Sequence, residues 1–131
     1  MNIKTLVAAS LGLAAVAIPA WAHHSPASYD TTRRVTVAGT VKTAFFRNPH
    51  GHISIDVRDA RGQVTQWEIE TSASNLLRRR GWVFSKVQAG IPATFIGHPN
   101  KTVQRDIYLR EIRFADGTVF GDVGGNDNVL D

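Results

Sequence analysis

Histidine is the residue type in this sequence with the most chemistry to offer. There are five, and four of them fall in two tight pairs: His23 next to His24, and His50 two residues before His52. The first pair directly follows Ala20-Trp21-Ala22, which places small residues at the two positions a signal peptidase reads. Cleavage after Ala22 makes His23 an N-terminal residue with a free amine. Such an amine has a pKa of about 7.7–8.0 and gives up its proton readily to a metal. The amine and its own imidazole can chelate one ion in a small ring. A third nitrogen from another histidine completes a T-shaped set, the histidine brace. All-nitrogen, tetragonal ligation favours Cu(II), which stands at the top of the divalent affinity order. The pattern therefore marks His23, His24, His50 and His52 as candidate metal ligands and copper as the candidate cofactor. Each residue alone also has a plain structural reading: a polar arm, a turn cap, a solvated strand position. The joint occurrence is what favours a site. His98, between Gly97 and Pro99, reads as a turn residue.

Other chemistries find little support. The absence of cysteine removes disulfides, zinc-thiolate sites, iron–sulfur clusters and cysteine nucleophiles. No serine sits in a Gly-x-Ser-x-Gly elbow, and no glycine-rich phosphate loop is present. Glu68 and Glu70 share a strand face but lack a cleft that would raise one pKa, so they read as partners for Arg or His. The single methionine is Met1, which argues against Cu(I) handling by thioethers.

The elements that must position these residues begin after a leader. One early cation, Lys4, precedes an apolar run from Leu6 to Ala20 that is short of the roughly 20 residues needed to span a bilayer. Residues 1–22 are expected to be a signal peptide. Residues 23–120 are expected to form a single domain with no membrane span, residues 121–131 a loose tail, and the protein to reside in the periplasm. The whole chain has 131 residues, 43% hydrophobic and 20% charged, with a formal charge of +4 that drops by one with Lys4. That balance fits a globular domain. The only dense basic run is Arg78-Arg79-Arg80, which reads as a solvated helix face. A nucleic-acid role would want a broader basic stripe with aromatics between the charges, so no nucleic-acid partner is expected.

Apolar residues alternate along Val35, Val37, Gly39, Val41 and Phe45, predicting a long first strand in which Gly39 hints at a bulge or sharp coil. Ile53, Ile55 and Val57 predict a second strand, and Thr65, Trp67 and Ile69 a third. The loop Ala60-Arg61-Gly62, with glycine last, is a known hairpin connection. It pairs Ile55 with Trp67 and Ile53 with Ile69, so these side chains and Val57 are expected in one core. The same register sets His52 opposite Glu70, where a carboxylate can steady a metal-bound imidazole. His50 and His52 should share the opposite, accessible face, with Cα atoms roughly 6–7 Å apart. Residues 72–80 predict a short helix capped by Ser72 or Ser74 and ended by Gly81. Strands at residues 92–97 and 107–114 follow, with a short extension at 118–120. Three strands, a helix and two strands are the order of the OB-fold. The expected class is therefore all-β with one short helix, an OB-fold-like five-stranded small barrel.

Several short motifs recur in a fixed order: His23-His24-Ser25 after the leader, Tyr29-Asp30, Gly39-x-Val41, Asn48-Pro49-His50, Trp67-x-Ile69-Glu70, Leu76-Leu77-Arg78, Gly81-Trp82, Gly90 and Asp116-Gly117. With them the chain resembles a family of small exported bacterial proteins of unknown function. The resemblance covers essentially the whole chain after the leader. It implies a periplasmic β-barrel domain without an established activity, and it matches His23, His24 and His50 but does not extend to His52. Pro26 departs from the bulky apolar residue common at its position.

Two functions of different classes follow. One is a copper-binding protein of storage or delivery, whose partners are the metal ion and a periplasmic protein. The other is a metal-free, non-catalytic module that binds a small ligand or partner protein, with Phe45, Phe46 and Trp82 as contacts. A brace-type oxidative enzyme is a third and weaker reading, because so small a domain leaves little room for a substrate platform.

Overall fold

A computed structural model describes residues 26–122. The strands are β1 (Val35–Phe45), β2 (Gly51–Arg58), β3 (Val64–Thr71), β4 (Pro92–Pro99), β5 (Asp106–Phe114) and β6 (Val119–Gly121). The helix α1 (Ser74–Arg79) lies between β3 and β4, and 3-10 turns occupy Pro26–Ser28 and Phe84–Lys86.

The β2–β3 hairpin has the expected register throughout, with His52 opposite Glu70, Ile53 opposite Ile69 and Ile55 opposite Trp67. Its turn fixes that register. Gly62 is left-handed at φ 80°, and the Asp59 carboxylate accepts from the backbone N–H groups of Arg61 and Gln63. Ile53, Ile55 and Ile69 are fully buried, while Val57 and Trp67 pack half-buried at the edge of the same core.

β1 pairs with β2 through its second half and with β4 through its first half, both antiparallel. The strand must coil to serve both neighbours. The register skips a residue between Val41 and Thr43, so the bulge is at Lys42 and not at Gly39. Gly39 answers a different need: a Cβ there would lie 2.9 Å from the Asp56 carbonyl oxygen. β4 and β5 are antiparallel. β3 and β5 then pair in parallel, Glu68 with Asp106 and Glu70 with Tyr108, and this closes the barrel. A closed five-stranded barrel with its helix between the third and fourth strands is an OB-fold, and β6 adds to the far half of β5. Phe95, Ile107, Leu109 and Ile112 fill the interior from the β4–β5 side.

Four local expectations are corrected. Neither Ser72 nor Ser74 caps α1 through its own side chain. Asn48, from the β1–β2 turn, accepts from the Asn75 N–H at 3.3 Å and from the Ser74 hydroxyl at 3.1 Å. His98 is a buried strand residue of β4, and its Nδ1 lies 2.7 Å from the Arg33 carbonyl oxygen. Arg80 is only partly solvated: it pairs with the fully buried Asp122 and donates to the Ser72 hydroxyl. The loose tail expected from Gly121 does not begin there: Gly121 belongs to β6 and the Asp122 carboxylate accepts from the Ser72 N–H at 2.7 Å, while residues 123–131 lie outside the described ones. Among the described residues no helix is long and apolar enough to cross a membrane.

Candidate metal centre

Of the candidate ligands, His23 and His24 lie outside the described residues. His50 and His52 flank the start of β2, where the chain leaves the cis Asn48–Pro49 bond and enters the barrel. His52 is exposed. Its cross-strand partner Glu70 is buried, because an arm of chain lies over it.

Tyr29 is the centre of that arm. It forms an isolated antiparallel bridge with Asn100, and Asp30 N–H and Lys101 N–H donate to Pro99 and Ser28 carbonyls on either side. Its ring packs tilted against Tyr108, centroids 5.4 Å apart. Its hydroxyl donates to Glu70 Oε2 at 3.0 Å and approaches Asp106 Oδ1 at 3.2 Å. Burial first, and then the negative charge of Asp106 and Glu70, push this phenol well above its usual 10.0, so it keeps its proton and remains a donor. Asp106 gains another donor from the Asn100 amide at 2.8 Å.

Glu70 Oε1 faces the other way, towards His50. The His50 Nδ1 hydrogen-bonds the Thr71 carbonyl oxygen at 3.3 Å and stands 3.4 Å from Glu70 Oε1. That second approach does not complete a hydrogen bond, and Oε1 is a buried polar atom without a partner. Both contacts of the ring use Nδ1. Engaging Nδ1 against a carbonyl and a carboxylate fixes the imidazole and leaves Nε2 free to accept or to ligate. The site therefore brings His50 and Glu70 together, adds Tyr29 and Asp106, and leaves His52 apart on the solvent side. Among the described residues no group of three His, Cys, Asp or Glu is placed to hold a metal.

Sequence reasoning missed Asp106. Its one signal was an acid directly ahead of the alternating Ile107-Tyr108-Leu109, at a strand entry where a buried carboxylate needs a partner. Tyr108 continues the polar row, with its hydroxyl 3.0 Å from the Ser72 hydroxyl.

The aromatic contact candidates separate. Trp82 is buried and stacked on Phe120 at 5.3 Å, with its indole N–H donated to the Gly121 carbonyl. Phe46 is half-buried and stacked on Phe84 at 4.3 Å. Phe45 alone of the three stands in solvent, 62% exposed.

A family profile matches residues 9–107. The chain belongs to the DUF6152 family, a family of unknown function. That match spans the His-His-Ser, Asn-Pro-His and Trp-x-Ile-Glu motifs together. No curated protein matches the chain. Among solved structures, the N-terminal domain of the PriB protein from Thermoanaerobacter tencongensis, described as dimeric, is similar at 19% identity with a TM-score of 0.48. The similarity covers 62% of this chain and 93% of that one.

Proposed function

We propose that this DUF6152 member is an exported, periplasmic copper-binding protein that holds Cu(II) for storage or delivery through the His23 amine, the His23 imidazole and His50. His24 and His52 are the further nitrogens available. The observation that carries the reading is the orphaned Glu70 Oε1 beside His50. A buried carboxylate oxygen without a donor costs about 1–3 kcal/mol or more, and a cation arriving on His50 would offset that cost. The arm supports it as well. Tyr29 is fastened to Glu70 beside His50, and with the 3-10 turn at Pro26–Ser28 the stretch from His23 to this anchor reaches at most about 17 Å.

The test is a Cu(II) titration of protein that begins at His23, followed by electron paramagnetic resonance. The expected result is one tight site with nitrogen hyperfine structure. It should be lost to a similar degree when one residue is added ahead of His23 and in His50→Ala, while His98→Ala leaves it unchanged. Equal binding by the extended protein would sink the terminal chelate, and the absence of a tight Cu(II) site in protein beginning at His23 would favour the metal-free module.

A further inference from the structure

The barrel end closed by α1 combines exposed apolar side chains with unpaired arginines. Val83 is 51% and Leu76 37% exposed, and Phe45 stands out where β1 runs towards that end. Contacts between their chain neighbours bring the β1–β2 turn against α1 and the 3-10 turn that follows it. The Arg47 carbonyl accepts from the Ser74 N–H at 3.1 Å, so the β1–β2 turn sits on the start of α1. Phe46 stacks on Phe84, and the Arg78 guanidinium lies 4.8 Å over the same Phe84 ring. Arg47 and Arg79 are exposed and make no side-chain hydrogen bond or ion pair with the described residues. The carboxylates that reach this end are already engaged, Asp116 with Lys86 and Asp122 with Arg80. The sequence holds no acid at all between Glu70 and Asp106, or between Thr31 and Ile55.

A second copy of the same surface would meet it with like charges. Nucleic acid would need a row of free aromatic faces for stacking, but Phe45 is the one such face here, since Phe46 and Phe84 use theirs on each other. Leu76 and Val83 are aliphatic. Aliphatic and phenyl groups ringed by arginines suit a layer with anionic headgroups outside and acyl chains beneath.

We propose that this end docks the protein on an anionic lipid surface, with Phe45, Leu76 and Val83 entering the headgroup–acyl boundary and Arg47, Arg78 and Arg79 on the lipid phosphates. The proposal does not depend on copper. Arg47 is three residues from His50, so about 11 Å at most separates their Cα atoms, and a docked protein would hold His50 close to the lipid.

The experiment is co-sedimentation with phosphatidylglycerol vesicles and with phosphatidylcholine vesicles at low and at physiological salt. Binding is expected only to the anionic vesicles and should weaken with salt. Arg78→Glu with Arg79→Glu should lower the partition at least about tenfold. Phe45→Ser with Val83→Ser should lower it several-fold with unchanged charge. Both pairs are exposed positions, and an unchanged thermal melt verifies folding. Arg33→Glu with Arg61→Glu, which alters net charge equally elsewhere, should leave binding near the native level. Three results overturn the proposal: no binding to the anionic vesicles at low salt, equal loss in the Arg33/Arg61 control, or binding to single-stranded DNA that matches the vesicles and ignores Phe45 and Val83.

Discussion

Tyr29 has one phenol proton and two buried carboxylates around it, Glu70 and Asp106. Replacing it with phenylalanine keeps the ring contact with Tyr108 but removes a donor from both acids. Tyr29→Phe should therefore cost about 1–3 kcal/mol at neutral pH, read as a lowered denaturant midpoint. A pH effect accompanies it. Burial raises both the Tyr29 and Tyr108 phenols in the folded protein above the usual 10.0. Above pH 10 the unfolded chain loses these protons while the folded one keeps them, so the unfolded state binds fewer protons and stability falls as pH rises. The loss should approach about 1.4 kcal/mol per pH unit for Tyr29, and Tyr108 adds to it in the same direction. Denaturant midpoints at pH 9 and pH 11 should show a smaller drop in Tyr29→Phe than in the native protein.

At the scale of elements, the β2–β3 hairpin and α1 make opposite demands on the sequence. Ile69 is fully buried and Trp67 only half-buried on the same strand face. Ile69→Ala should cost about 2–5 kcal/mol. Trp67→Ala should cost less than the value for a fully buried tryptophan, because part of the ring is already in water; thermal melts of the two variants compare them. The hairpin was legible because its turn and its alternation agree, and a one-residue slip would have put Trp67 and Ile53 outside. The cap of α1 was not legible, since Asn48 is distant in sequence and nothing in Ser72 or Ser74 announces that the donor groups look elsewhere. Asn48→Ala should cost about 1 kcal/mol, measured in the same way. His98 shows the same limit. His98-Pro99-Asn100 has turn composition, but the arm carrying Arg33 and Tyr29 covers it and keeps the segment in the sheet.

At the scale of the molecule, the strand order was readable from three strands, a helix and two strands, and it supplied the closed barrel. The buried acids were only partly readable: Glu70 was expected beside a histidine, but Asp106 and Asp122 meet Tyr29, Ser72 and Arg80 through long-range pairings that carry at most a weak local signal. Asp122 is the clearest instance: a tail rich in glycine, asparagine and aspartate carries one carboxylate that binds Ser72 and Arg80 across the sheet. Gly97 marks how tightly the β4–β5 pair is drawn, since a Cβ there would lie 2.3 Å from the Tyr108 carbonyl oxygen. Gly97→Ala must move backbone and should cost about 1–3 kcal/mol, visible as a lower melting temperature.

The parallel β3–β5 seam also determines what an incomplete chain looks like. β3 and β4 are made early in synthesis, but each keeps one unpaired edge until β5 emerges and joins them both. Unpaired edges are templates for pairing with other chains, and contacts between distant segments form slowly. A chain cut before Asp106 is therefore not a smaller barrel but an open sheet with two adhesive sides. Premature termination in the Lys101–Arg105 stretch should convert the closed domain into a self-associating one, read as a shift to larger species in size-exclusion chromatography.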